Sequence, residues 1–378
     1  MSPEELCAWI ALNMLPGLGS VLTHRALRRW PDPAEIAFHL PYEALLSLRN
    51  FRADRETFRQ TRRTLRRRAR DELKRCRELG VRLLVHGARD YPAALQEISD
   101  PPILLYAWGD PAPGVVRIAV VGSRRPTTYG MGRAKALAAE LSRRGIEIVS
   151  GGARGVDTLS HKAALDAGGR TVAVLGSGLA KPYPAENLSL FKKIGEHGSV
   201  LSEFPLDCGA KPDHFPRRNR VISGLSAAVL IIEANERSGS LITARHGLEQ
   251  GREVLAVPGP VTSARSVGCN RLIQQGAKLV QEAQDVIDEL SPLYAEALDA
   301  PPPVATPGTP ALQSVLNIAT PDEVAVADML DQAEALHLDE LAETAPFGIA
   351  RLQLALLGLQ VQGAVEALPG RYYRRRDR

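Results

Sequence analysis

The chain has 378 residues, 44% hydrophobic and 24% charged, and a formal charge of +4 from 47 basic and 43 acidic side chains. That profile excludes a disordered or fibrous protein, and the length implies two or three domains. So small a positive excess does not by itself require a nucleic-acid partner; its placement matters more than its sum. The four cysteines, Cys7, Cys76, Cys208 and Cys269, form no C-x-x-C pair, which argues against a disulfide framework or a Cys-rich zinc site. No secretory pattern opens the chain and the apolar run from Trp9 to Leu15 is too short to span a bilayer. A reducing, cytoplasmic setting without membrane contact is therefore expected.

Residues 1–80 read as a small helical domain. A helix from Glu4 to Met14 and a second one carrying Leu22, Ala26 and Leu27 flank Pro16-Gly17-Leu18-Gly19. Such a turn fits a helix-hairpin-helix whose amides face a phosphate, and it equally fits a helix-breaking turn in a small bundle. From Arg49 to Arg77 the chain is crowded with arginine, while Phe51, Phe58, Leu65 and Leu73 recur near helical spacing. One long amphipathic helix is predicted. Its basic face either meets nucleic acid or is a solvated surface partly neutralised by Asp71, Glu72 and Glu78.

Residues 81–292 alternate strands with helices. Strands are predicted at Arg82–Val85, Ile103–Tyr106, Arg117–Val121, Glu147–Val149, Thr171–Leu175, Val200–Leu201, Ala228–Ile232, Val254–Val257 and Lys278–Val280. Runs such as Val229-Leu230-Ile231-Ile232 are apolar on both faces, as a parallel sheet covered by helices requires. This is a doubly wound α/β domain. A Pro-rich linker is expected over 293–318, and 319–378 reads as three helices and a β-hairpin around Pro369-Gly370, the pattern of a winged helix.

In an open parallel sheet ligands bind beyond the carboxyl ends of the strands. Those ends carry Gly122-Ser123-Arg124, Ser150-Gly151-Gly152-Ala153-Arg154-Gly155, Gly176-Ser177-Gly178, Glu233 with Ser238-Gly239-Ser240, and Pro258-Gly259. Glycine lets an oxygen-rich ligand approach the backbone, and helix N-termini offer free amides. Arg124, Arg154, Arg217 and Arg218 join them, which describes a pocket for phosphates. The segment after Leu201 is read as a long loop holding Lys211, His214, Phe215, Arg217, Arg218 and Asn219, suited to a single strand whose phosphates meet cations while Phe215 stacks on a base.

The nicotinamide fingerprint and the P-loop pattern are absent. No Ser, His and Asp constellation for nucleophilic chemistry is evident. His161, Asp157 and Glu233 read as residues that order loops, Glu233 holding the one that carries Arg218 and Asn219. His161, His214 and His246 have no metal-ligand spacing, so neither a metal nor a cofactor is assigned. An enzyme of the nucleotide phosphoribohydrolase type, with Glu233 and Arg154 as its active residues, is the alternative; the P-G-G-x-G-T segment of that group is not found, Pro258-Gly259 being followed by Pro260.

From Tyr91 to Val280 the chain resembles the DNA-processing protein A family (DprA, also called Smf). The resemblance rests on Tyr91-Pro92-Ala93-Ala94-Leu95, Val120-Val121-Gly122-Ser123-Arg124, Ser150 to Asp157 with His161, Phe215-Pro216-Arg217-Arg218-Asn219-Arg220, Ser238 to Ala244, and Val257-Pro258-Gly259. It implies an extended Rossmann-like domain between a helical domain of the sterile-alpha-motif or helix-hairpin-helix kind and a C-terminal winged helix. It also implies a protein without catalysis that binds and protects single-stranded DNA, loads the RecA recombinase in natural transformation and recombination, and pairs as a homodimer through the Rossmann-like domain. Carried over by motif, Arg124, Arg154, Lys211, Phe215, Arg217, Arg218 and Asn219 line the DNA groove. Gly122, Ser123, Gly152, Gly155, Ser238, Gly239 and Ser240 supply phosphate contacts, with Lys162 as a weaker addition. The winged helix would meet either duplex DNA, through Arg351 and the arginine-rich tail, or a protein partner. Apolar positions in the Leu272–Val280 region are candidates for the dimer face.

Overall fold

The structure is a computed structural model, and it describes residues 1–299, 321–330, 335–361, 365–368 and 372–375. Two compact units make up the chain, Met1–Thr309 and Pro310–Arg378. Most of the expected linker, with Pro301 to Pro310, lies outside the described residues. So do the Pro369-Gly370 turn and, in the tail, Arg371 and Arg376.

The first unit begins with helices α1 (Pro3–Asn13), α2 (Ser20–Arg29), α3 (Tyr42–Leu46) and α4 (Arg55–Glu78), with a π-helical turn at Glu35–His39 before α3. Ser2 starts α1 in a capping box with Glu5, and the Asp54 carboxylate accepts the Thr57 amide at 2.7 Å to start α4. The long helix thus begins six residues later than the arginine pattern predicts. Its buried face carries Phe58, Leu65, Ala69, Leu73 and Cys76.

Nine strands follow: β1 (Arg82–Val85), β2 (Leu104–Gly109), β3 (Arg117–Gly122), β4 (Glu147–Ser150), β5 (Thr171–Leu175), β6 (Ser199–Ser202), β7 (Ala228–Ile232), β8 (Glu253–Ala256) and β9 (Lys278–Leu279). They form one sheet in the order β1-β2-β6-β5-β4-β3-β7-β8-β9, parallel except where β2 pairs with β1 and β6. The helices of this part are α5 (Ala93–Gln96), α6 (Thr128–Arg143), α7 (Val156–Asp166), α8 (Leu188–His197), α9 (His214–Gly224), α10 (Gly239–Glu249), α11 (Val267–Gln274) and α12 (Ala283–Asp299). The last extends through 293–299, which the sequence reading placed in the linker.

Both faces of the sheet are covered. Val121, Val149, Val174 and Ile231 pack with Val221, Ile222, Ala244 and Cys269 of α9, α10 and α11. Their neighbours Ile118, Val120 and Ile148 face the other way, onto Leu137, Leu141, Val156 and Leu290 of α6, α7 and α12. This is the two-sided burial that the apolar strands predict, and the architecture is Rossmann-like. Strands β3 to β6 run outward on one side of β3, and β7 to β9 on the other. The order therefore reverses between β3 and β7, and this switch point fixes where a ligand crevice opens.

The second unit holds helices Pro321–Leu330, Leu338–Thr344 and Ile349–Val361 beside a three-stranded antiparallel sheet of Leu336–His337, Tyr372–Arg375 and Val365–Leu368. Among the described residues no helix is long and apolar enough to cross a membrane.

At the amino end of the sheet Glu147 is buried between two guanidinium groups, with Arg117 Nε at 2.6 Å and Arg170 Nε at 3.3 Å. Removing one member of a buried ion cluster leaves uncompensated charge. Glu147→Ala is expected to lower unfolding stability by about 3–5 kcal/mol, measured as a shift in the urea denaturation midpoint.

Candidate functional site

At the switch point the tips of β3 and β7 come into direct contact. A Cβ on Gly122 would lie 1.9 Å from the Ile232 carbonyl oxygen, so only glycine fits there. The Val156 amide donates to the Ser123 carbonyl at 3.0 Å, and Gly155, at φ +78°, would press a Cβ to 2.3 Å from the same oxygen. The β3 and β4 tips are thus interlocked through glycine, and α7 starts at their junction.

Glu233, at the end of β7, sits in the left-handed region at φ +53°. Its carboxylate accepts the Thr127 amide at 2.8 Å and the Thr127 hydroxyl, while Thr127 caps α6 by accepting the Gly130 amide at 3.2 Å. Glu233 therefore orders the 123–128 loop, not the segment with Arg218 and Asn219 that the sequence reading assigned to it. Asp157 accepts the Gly151 and Ala153 amides at 3.1 and 3.2 Å and shapes the β4–α7 loop. Burial raises its carboxyl above the usual range, against the lowering effect of the Arg218 charge.

The segment read as a long loop is loop only over 203–213. Phe215, Arg217, Arg218 and Asn219 lie in the first turns of α9. Pro216 is compatible with that start because a first-turn amide has no intrahelical acceptor. Helical register then separates the two adjacent arginines. Arg217 is exposed, lies over the Phe204 ring at 5.3 Å and faces Glu203 at 3.9 Å. Arg218 is only 4% exposed and donates to the carbonyls of Gly151 (2.6 Å) and Val174. Desolvation pulls its guanidinium down to about 10, with Asp157 opposing the shift. Arg218 is therefore bound to the protein's own carbonyls rather than presented freely to a phosphate. Asn219 donates to the Gly239 carbonyl at 3.3 Å and ties α9 to the start of α10.

These elements enclose a cavity of about 750 Å³. From the expected set it gathers Gly122, Ser123, Arg124, Phe215, Arg218, Asn219, Ser238, Gly239 and Ser240. Helix α10 begins here with no side-chain cap, its Ser238 hydroxyl paired with Ser240 at 2.7 Å. The Arg124 guanidinium lies over the Phe215 ring at 5.4 Å, and Tyr183 tilts against that ring at 5.9 Å. Arg125, Asn235, Arg237 and Arg265 also line the cavity and were not among the expected residues. Arg237 directly precedes Ser238, a proximity that could have flagged it. Arg265 comes from the loop after β8 and carries no local signal.

The other expected residues lie elsewhere. Arg154 borders a small adjoining cleft with Tyr183 and Phe215 and pairs with Glu186, Nη2 to Oε2 at 3.0 Å. Gly152 is buried, and an added Cβ would meet Phe191 at 2.5 Å. Gly155 supports the rim from behind through Ser123 and Arg124. Lys162, on α7, and Lys211, before α9, are exposed and do not line the cavity.

Fold and site together define an open α/β protein with an arginine- and glycine-lined crevice at its switch point. The chain belongs to the DNA recombination-mediator protein A family, whose model matches residues 82–291. The DNA processing protein DprA of Bacillus subtilis is 44% identical over 216 residues, 57% of this chain and 73% of that one. The X-ray structure of DNA processing protein A from Streptococcus pneumoniae aligns with a TM-score of 0.64 at 33% identity, covering 75% of this chain and 97% of that one. A Helicobacter pylori structure, described for the single-stranded DNA binding mode of its DNA processing protein A, aligns at 0.50 with 31% identity, covering 56% and 97%.

His161 lies behind the rim, fully buried. Thr171 donates its hydroxyl to the Ile148 carbonyl at 2.6 Å, which leaves its oxygen to accept from His161 Nδ1 at 2.7 Å. Burial, aided by the Arg218 charge, pushes the imidazole down to about 3, from about 6.5 in an open chain. Because the folded value is depressed, the ring's contribution is complete above the open-chain value. It is lost as pH falls toward the folded one, by about 2 kcal/mol at pH 5. His161→Asn should flatten the fall in urea stability between neutral pH and pH 5 by that amount.

Proposed function

We propose that this protein binds single-stranded DNA along the carboxyl rim of its sheet and hands the strand to the RecA recombinase in transformation and recombination, without chemistry on the DNA. The observation that carries this reading is the crevice itself. Glycine-lined strand tips and the uncapped start of α10 meet exposed Arg124, Arg125, Arg237 and Arg265 around a half-buried aromatic ring. Cations that track a backbone beside a stacking surface are what a flexible polyanion requires. The Helicobacter pylori relative, whose description names single-stranded DNA, supports the same ligand.

The rival reading as a phosphoribohydrolase needs Glu233 and Arg154 as active residues. Both Glu233 oxygens are engaged by Thr127, and Arg154 is paired with Glu186. Their positions favour binding over catalysis.

The finer assignments belong to the same proposal. The DNA contacts are the exposed rim residues with Phe215, Ser123 and the Ser238-Gly239-Ser240 turn, extended by Arg154, Lys162, Lys211 and Arg217 on the flanks; Gly122, Gly152, Gly155, Arg218 and Asn219 shape the crevice. Homodimers form through the sheet domain, where β9 is an edge strand with Leu279 exposed in the Leu272–Val280 region. The protein works in the cytoplasm. Residues 1–80, 81–299 and 319–378 act as helical, Rossmann-like and winged-helix domains, joined to the last by a linker over 300–318. The winged helix contacts duplex DNA or a protein.

Arg124→Ala and Arg237→Ala should each weaken binding to oligothymidine and reduce the slope of log affinity against log salt by about 0.7, the value for one single-strand phosphate contact. Fluorescence anisotropy at several salt concentrations reads both quantities. Unchanged affinity in both variants, or release of free base from a nucleoside monophosphate by the wild-type protein, overturns the proposal.

A further inference from the structure

Helix α4 carries a charge pattern that the rim does not explain. Arg59, Arg63, Arg66, Arg70, Lys74 and Arg77 recur at three- or four-residue intervals and are all exposed. Their spacing places them on one side of the helix, along about 27 Å at 1.5 Å per residue. Arg59 pairs with Glu56 and Lys74 approaches Glu78 at 3.7 Å. No carboxylate lies within ion-pair distance of Arg63, Arg66, Arg70 or Arg77 among the described residues. Concentrated unpaired charge raises the energy of the free protein and is relieved by a polyanion.

Beside this stripe is a cleft of about 580 Å³ between the start of α1, the π-helical turn and α4. Phe38, Leu73 and Cys7 give it apolar surface, and Arg66 lies over the Phe38 ring at 4.3 Å. Glu4 and Glu78 also border it, so its charge is mixed at one end. A cation ladder next to a small cleft with an aromatic ring suits a strand whose bases are free to turn inward. A duplex keeps its bases stacked and would leave the cleft empty.

The 203–213 loop joins this helix to the rim. The Leu206 amide donates to Glu72 Oε1 at 2.7 Å, Arg75 pairs with Asp207, and the same loop carries exposed Lys211 before entering α9.

We infer that the exposed face of α4 is a second single-stranded DNA contact surface, engaged by strands long enough to extend beyond the crevice. This rests on the reading of the crevice as a single-strand site, and strand length separates the two. The test compares full-length wild-type protein with R63A/R66A/R70A/R77A, and separately with F38L, on oligothymidines graded in length. All four arginines are exposed, and thermal melting verifies that folding is kept.

The wild-type affinity should continue to rise with length after the crevice is filled. The four-arginine variant should bind the shortest strands as wild type does, lose about tenfold on the longest, and show a salt slope there smaller by about 3, at 0.7 per contact. F38L should weaken only the long strands. Identical length dependence and salt slope in wild type and the four-arginine variant overturn the inference. It is also overturned if a poly-glutamate peptide binds wild type but not that variant while long oligonucleotides bind both equally, since the face then takes an acidic protein segment. Loss of the shortest strands from wild type itself would instead remove the reading of the crevice.

Discussion

The crevice depends on a buried cation in its own lining. The Arg218 guanidinium reaches from α9 to the Gly151 and Val174 carbonyls, so one side chain holds the ends of β4 and β5 against the helix that walls the site. Carbonyls at strand ends that have no ladder partner need donors when buried. A planar guanidinium, with five N–H groups, serves several at once where an ammonium could not hold the same geometry. Its charge is tolerated because Asp157 stands nearby, itself fixed by two loop amides. The pair is a framework, and the β4–α7 loop it shapes carries exposed Arg154.

That division explains which parts of the site were legible in the sequence. Strands that are apolar on both faces can only be central strands of a covered sheet, and their glycine-bearing ends mark the rim. The crevice therefore follows from Val229 to Ile232 and from Gly122, Gly155 and Gly239 with little ambiguity. Side-chain direction does not follow in the same way. Arg217 and Arg218 are adjacent in a motif and look equivalent, yet a helix turns them about 100° apart, sending one to solvent and the other into the core. Reading the segment as a loop hid this, because its polarity and Pro216 outweighed the apolar Val221, Ile222 and Leu225 that bury its far end.

Glu233 and Arg265 mark the same limit. Glu233 reaches across the switch point to the 123–128 loop, remote in sequence, and Arg265 comes to the crevice from the loop after β8. Local periodicity contains no information about such pairings; the strand order supplies it. The first helix, by contrast, is announced by a short-range signal, since Ser2 with Glu5 forms a capping box within four residues.

The two ends of the sheet are built on opposite electrostatic principles. At the amino end Arg117 and Arg170 close on Glu147 with every charge buried and paired. At the carboxyl end Arg124, Arg125, Arg237 and Arg265 line the crevice exposed, and the carboxylates of Glu233 and Asp157 are held by Thr127 and by loop amides. Carboxylates engaged in this way shape the rim loops. The helical segment enters through the same logic. The buried Glu72 carboxylate, raised by desolvation, accepts the Leu206 amide and so fixes the loop that leads into α9. The segment that carries Phe215 is thus held at two points, by Arg218 to the strand ends and by α4 at Leu206 and Asp207. The first eighty residues are thereby tied to the loop that leads into the crevice helix, although none of them lines the crevice.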